Sequence, residues 1–191
     1  MSQQGTPRIA PLAPDELGPE AMELAIRQRA NYGLATTELP ETVATLLRHP
    51  ALYKAYIDFV NMRAQVTVLE TRDVEIVVLR IAWLCACGYV WGEHVKFAKQ
   101  AGLSVEEISA LADGACDPGW NLRDRALIRL AEELHATAHV SDETWTTLAA
   151  QFTDQQLIEL LMVVGSYHQV AYLYNAMQVR LIPGNPGLTA R

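Results

Sequence analysis

Within positions 72–111, Glu75, Cys87 and His94 offer side chains that could act together on a small molecule. A carboxylate and an imidazole can move a proton near neutral pH, and a thiol becomes a nucleophile once it ionises. Their spacing limits how they could cooperate. Cys87 follows Glu75 by twelve residues and His94 follows Cys87 by seven. Along one straight helix these separations amount to about 18 Å and about 10 Å, so neither pair could touch. A break at Gly88 that folds the chain back would bring Glu75 to the start of the following helix. It would also set Cys87 beside a helix N-terminus, where the dipole favours a thiolate. The demand on that site is large. An ordinary thiol is only about 3% ionised at pH 7, and lowering its pKa by two units takes about 2.7 kcal/mol. A helix terminus supplies part of this, and a nearby protonated histidine could supply the rest.

Helices must do the positioning, because hardly any segment alternates with period two and nearly every apolar segment repeats at helical spacing. A first helix is expected over residues 15–30, closed by Asn31-Tyr32-Gly33. A second opens at Pro40-Glu41 and stops at Pro50, and a third covers residues 51–62. Thr71 reads as the N-cap of the next, with Asp73 and Glu75 in its first turn. From Val74 to Cys87 only Glu75 and Arg80 are charged, which predicts a helix wrapped by protein on almost all sides. Beyond Gly88, a helix over residues 89–101 ends at Gly102. Ser104 and Glu107 then form a capping box for a short helix to about Asp113. The loop containing Pro118-Gly119 precedes a helix capped by Asn121, whose Leu122, Leu127, Leu130 and Leu134 share one face. Ser141 opens a further helix, and Thr153 with Gln156 caps a long last one reaching about Val179. The fold class is all-α, with an N-terminal arm and helices in residues 1–49 and a helical domain in residues 50–191.

The segment Arg72-Asp73-Val74-Glu75 through Trp91-Gly92-Glu93-His94-Val95, followed by Ala101-Gly102-Leu103 and Glu106-Glu107-Ile108, resembles the carboxymuconolactone decarboxylase and alkylhydroperoxidase-D-like family. The likeness runs from about residue 50 to residue 135 and is nearest the decarboxylase-like branch. It implies an alkylhydroperoxidase-D-like helical bundle, trimeric or hexameric. Glu75, Cys87 and His94 fall on the family's Glu, first-Cys and His positions. Val90 stands where the second Cys attacks peroxide in the thiol-peroxidase members, and where the decarboxylases are similar in carrying an acid. The resemblance therefore implies a pocket with Glu75 and His94 in it, and it implies that two-cysteine peroxide chemistry is absent. The leading expectation is a cofactor-free small-molecule enzyme, decarboxylase- or lyase-like, using Glu75 and His94 as an acid/base pair on a carbonyl, lactone or carboxylate substrate, with Cys87 as a pocket thiol. The alternatives are a peroxidase-related oxidoreductase using Cys87 alone and a non-catalytic ligand-binding homo-oligomer.

Other residues frame that pocket. Trp83 and Trp91 read as core or pocket-wall aromatics able to line an apolar ligand site. Tyr167 and His168 are unexpected in so apolar a helix. They either face the Glu75–His94 pocket or hydrogen-bond across a subunit contact. Cys85 reads as core packing, and His49, His135 and His139 as capping or surface groups. Residues 123–133 read as a solvated charged face. Cys85, Cys87 and His94 lack a fourth ligand and the usual zinc spacing, so no metal is expected.

Composition excludes several classes. Fifteen basic against 22 acidic residues give a net charge of −7, which argues against nucleic acid or an anionic membrane surface as partner. With 50% hydrophobic residues and 191 in all, the chain can bury a core of its own. Cys85, Cys87 and Cys116 are too few for a secreted disulfide framework, and the proline-containing N-terminus has no signal-like apolar run. The uncharged stretch 160–179 is interrupted by Ser166, His168, Gln169, Asn175 and Gln178, so it reads as a buried helix rather than a membrane span. A cytoplasmic homo-oligomer acting on a small molecule is the expectation.

Overall fold

The structure, a computed structural model, describes residues 6–31 and 39–191. Among these it contains nine α-helices, two short 3-10 turns and no strand, so the chain is all-α. Two compact units are formed. One comprises residues up to Thr67 together with Ala176–Ile182, and the other Val68–Asn175 with Pro183–Arg191.

The first unit holds α1 (Pro19–Asn31), α2 (Glu41–Leu46) and α3 (Pro50–Val66). Ala21, Leu24, Ala25, Val43, Leu47 and Tyr53 make its core. Pro50 opens α3 as its first residue, where a missing N–H costs nothing, and the His49 side chain accepts a hydrogen bond from the Leu52 amide. Pro50 thus starts a helix; α2 has already ended at Leu46. Asn31 closes α1, while Tyr32 and Gly33, expected to end it, lie outside the described residues.

The second unit is built around α4 (Thr71–Leu84), whose residues from Ile76 to Ala82 are all buried. Around it are α5 (Gly88–Gln100), α6 (Val105–Asp113), α7 (Leu122–Thr137), α8 (Asp142–Ala149) and α9 (Asp154–Met177). Thr71 lies inside α4 rather than capping it, and Glu70 is the N-cap. The buried charges of α4 are paired. Arg80 meets Glu132 at 2.7 Å and donates to the carbonyls of Leu111 and Ala112, and Asp73 meets Arg123 at 2.6 Å. Arg123 and Glu132 therefore belong to the packing between helices rather than to a wholly solvated face. Leu122, expected on the apolar face of α7, is 68% exposed because it lies at the first residue of the helix, before the buried stripe begins.

The reversal that matters for the site comes earlier than Gly88. Cys85 ends α4, Ala86 is left-handed with φ 50°, and Cys87 is already the N-cap of α5. The Cys87 amide donates to the Ala82 carbonyl and the Ala86 amide to that of Trp83. This pair of bonds is a Schellman stop. The end of α5 repeats it with Gly102 at φ 91°, the Leu103 amide reaching Ala98 and the Gly102 amide Lys99.

Candidate functional site

Because the chain turns back at Ala86, α4 and α5 pack side by side and carry their functional residues to one place. Glu75 Oε2 lies 2.8 Å from His94 Nδ1, and the two side chains are only 7% and 16% exposed. A carboxylate only accepts hydrogen bonds, so the proton of this bond sits on Nδ1. The neutral imidazole then presents its lone pair at Nε2, the arrangement that lets a histidine serve as base on that nitrogen and acid once charged. Tyr167 of α9 meets the His94 ring edge to face with centroids 5.0 Å apart, and Phe97 flanks it at 5.5 Å. Val90 is buried in the same helix, one turn before His94.

Cys87 sits at the helix N-terminus as expected, but it is not activated there. Its side chain is fully buried, and that burial pushes the thiol up to about 11, against the smaller lowering effects of the Val90 and Tyr89 amides. Desolvation of a thiolate outweighs the pull of one helix end. The expected low-pKa thiolate is thereby corrected to a buried, protonated thiol.

Of the expected binding residues, Tyr167 stands against His94 and the others do not. Trp91 is fully buried, with its Nε1 donating to the Ala190 carbonyl at 3.1 Å, so it is core rather than an open wall. Trp83 packs on Trp91 at 5.1 Å, and the Arg191 guanidinium lies over both rings. His168 follows Tyr167 in sequence and so points to another side of α9, where its Nε2 lies 3.0 Å from His135 Nδ1. His135 Nδ1 is in turn 3.7 Å from Cys85 Sγ. This second cluster draws on α7, α9 and the end of α4. Its members are 50 and 33 residues apart, and no local spacing in the sequence announces it.

The model of the carboxymuconolactone decarboxylase family matches residues 50–133. Among solved structures, the chain is similar to a peroxidase-related protein with an alkylhydroperoxidase AhpD core from Ralstonia eutropha JMP134, with TM-score 0.77 and 15% identity over 94% of each chain. It is also similar to the debrominase Bmp8 in complex with 2,3,4-tribromopyrrole, with TM-score 0.70 and 16% identity over 94% of each chain. A third structure, a protein of unknown function from Agrobacterium tumefaciens named for the antioxidant defence protein AhpD, has TM-score 0.66 and 22% identity over 72% of this chain and 94% of that one. At these identities the likeness is one of fold. No protein of curated function matches the sequence.

Proposed function

We propose that this chain, whose residues 50–133 match the carboxymuconolactone decarboxylase family, is a small-molecule enzyme of that AhpD-like family in which Glu75 and His94 form an acid/base pair acting on a carbonyl, lactone or carboxylate substrate. The observation that carries this is the sheltered 2.8 Å bond between Glu75 and His94 Nδ1. Glu75 orients the ring and steadies its charged form, and Nε2 is the atom that exchanges protons with substrate. With a β-keto acid, the electron pair released by carbon dioxide loss stays on the enolate. The His94 imidazolium then returns a proton to carbon. With a carbon acid that keeps its carboxylate, neutral Nε2 takes the proton first. Tyr167 and Phe97 would wall the substrate against the ring. The reading gives Cys87 no nucleophilic role, because its thiol is buried and held protonated.

A homo-oligomer is part of the same reading. Ile158, Leu161, Met162 and Tyr172 of α9 are exposed at helical spacing, and a second copy of this chain is the occupant that such an uncharged stripe suits.

The test follows carbon dioxide release and solvent deuterium incorporation by NMR across a panel of β-keto acids and unsaturated γ-lactones. His94→Gln should lower the rate on any active compound by about 10²–10⁴-fold while the helical CD spectrum is kept. Equal rates for both proteins would remove His94 from the chemistry.

A further inference from the structure

We infer that Cys85, His135 and His168 form a binding site for one zinc ion, with a fourth position left to water. Their ligand atoms, Cys85 Sγ, His135 Nδ1 and His168 Nε2, all lie within 4.8 Å of one another. A tetrahedral zinc ion with ordinary bond lengths holds two nitrogens about 3.3 Å apart and a nitrogen and a sulfur about 3.6 Å apart. The cluster shows 3.0 Å between the nitrogens and 3.7 Å between His135 Nδ1 and the sulfur, so the two rings would part by a few tenths of an ångström, while Cys85 Sγ, within 4.8 Å of His168 Nε2, would swing towards that ring on binding.

Three further features suit a cation. His168 Nδ1 donates to the Val164 carbonyl at 2.9 Å, which leaves Nε2 as the lone-pair nitrogen aimed into the cluster. An outer hydrogen bond of this kind is the one that metal-bound histidines use to fix ring and tautomer. Two of the side chains also sit at helix C-termini, with Cys85 capping α4 and His135 in the last turn of α7, where the negative dipole end favours a cation. Arg80, the cation nearest in influence on His135, is neutralised by Glu132 at 2.7 Å.

Thiolate and imidazole ligands select a borderline metal such as zinc over magnesium or calcium. Binding exchanges the thiol proton for the metal: the S–H bond breaks, the S–Zn bond forms, and one proton leaves to solvent. His135, in contact with His168 through Nδ1, must then carry its proton on Nε2. Because a thiol proton is displaced, affinity rises with pH.

The experiment strips the full chain with a chelator and titrates zinc against a chromophoric competitor. One equivalent should bind with Kd below about 1 μM, and cobalt(II) in its place should show a thiolate charge-transfer band. Changing an outer-shell partner alone typically costs about 10–100-fold. Loss of a ligand, in Cys85→Ser or in His135→Ala at its exposed position, should therefore weaken zinc by more than about 100-fold. Cys85→Ser should also abolish the cobalt band, and His94→Gln should leave the stoichiometry at one. A wild-type Kd above about 1 μM, or undiminished binding in both ligand variants, overturns the assignment. Should Cys85→Ser fail to fold, His135→Ala still decides the outcome.

Discussion

At the residue scale, the contrast between the surroundings of His94 and Cys87 comes from burial rather than from residue type. Both are on α5, yet His94 keeps partial access and a carboxylate partner while Cys87 is sealed into the core. The sealed thiol has a measurable effect on stability. Its pKa is raised from 9.0 to about 11, so the folded protein holds a proton that the unfolded chain has released across that interval. Unfolding then loses a proton, and stability falls as pH rises from about 9 to about 11, by up to about 2.7 kcal/mol. Urea midpoints measured over this range should fall more steeply for wild type than for Cys87→Ala, and parallel curves would contradict the burial argument. Glu75 and His94 were legible in the sequence because a charged residue inside an apolar helix stands out and because the family pattern marks both. The thiol's burial was not legible, since the dipole could be read from the helix boundary while the depth of the side chain could not.

At the scale of elements, two helix stops illustrate what local sequence does and does not disclose. Gly102 marks the end of α5 openly, because glycine takes the left-handed conformation without strain. The end of α4 uses the same hydrogen bonds with Ala86, so nothing in its composition points there, and the neighbouring Gly88 draws the boundary towards itself. An L-residue pays about 1 kcal/mol or more in that conformation. Ala86→Gly should therefore raise stability by about 0.5–1 kcal/mol, seen as an upward shift in Tm with activity retained. Gly92 behaves in the opposite sense. A methyl group there would sit 1.8 Å from Asn185 Oδ1, and Asn185 is the residue that bonds the Tyr89 carbonyl and the Glu93 carboxylate of α5. Gly92→Ala should cost about 1–3 kcal/mol through overpacking, and hydrogen exchange should show residues 183–191 losing protection first. Capping boxes, by contrast, were fully readable: Ser104 with Glu107 bonds as its spacing predicts.

For the whole molecule, the all-α class followed from periodicity, and the assembly is what periodicity leaves open. No helix among the described residues is long and apolar enough to cross a membrane. The exposed stripe on α9 predicts instead a mass by light scattering that is a multiple of 21.2 kDa. Placing charges on it with Ile158→Glu and Met162→Lys should return a single-chain particle with unchanged helicity. A native mass of 21.2 kDa would refute the assembly. The zinc cluster belongs to this scale too, since only the finished packing of three helices assembles it.

Arg80 has a consequence for how the domain tells its native arrangement from near misses. A guanidinium enclosed among α4, α6 and α7 is satisfied only when the Leu111 and Ala112 carbonyls and the Glu132 carboxylate arrive together. Sliding any of these rods by one turn would strand an uncompensated cation in the interior, at a penalty of about 3–5 kcal/mol. Leucines and isoleucines alone would tolerate such a slip. One polar side chain thus acts as a proofreader of register, and the Glu75–His94 pair on the same α4 inherits its accuracy.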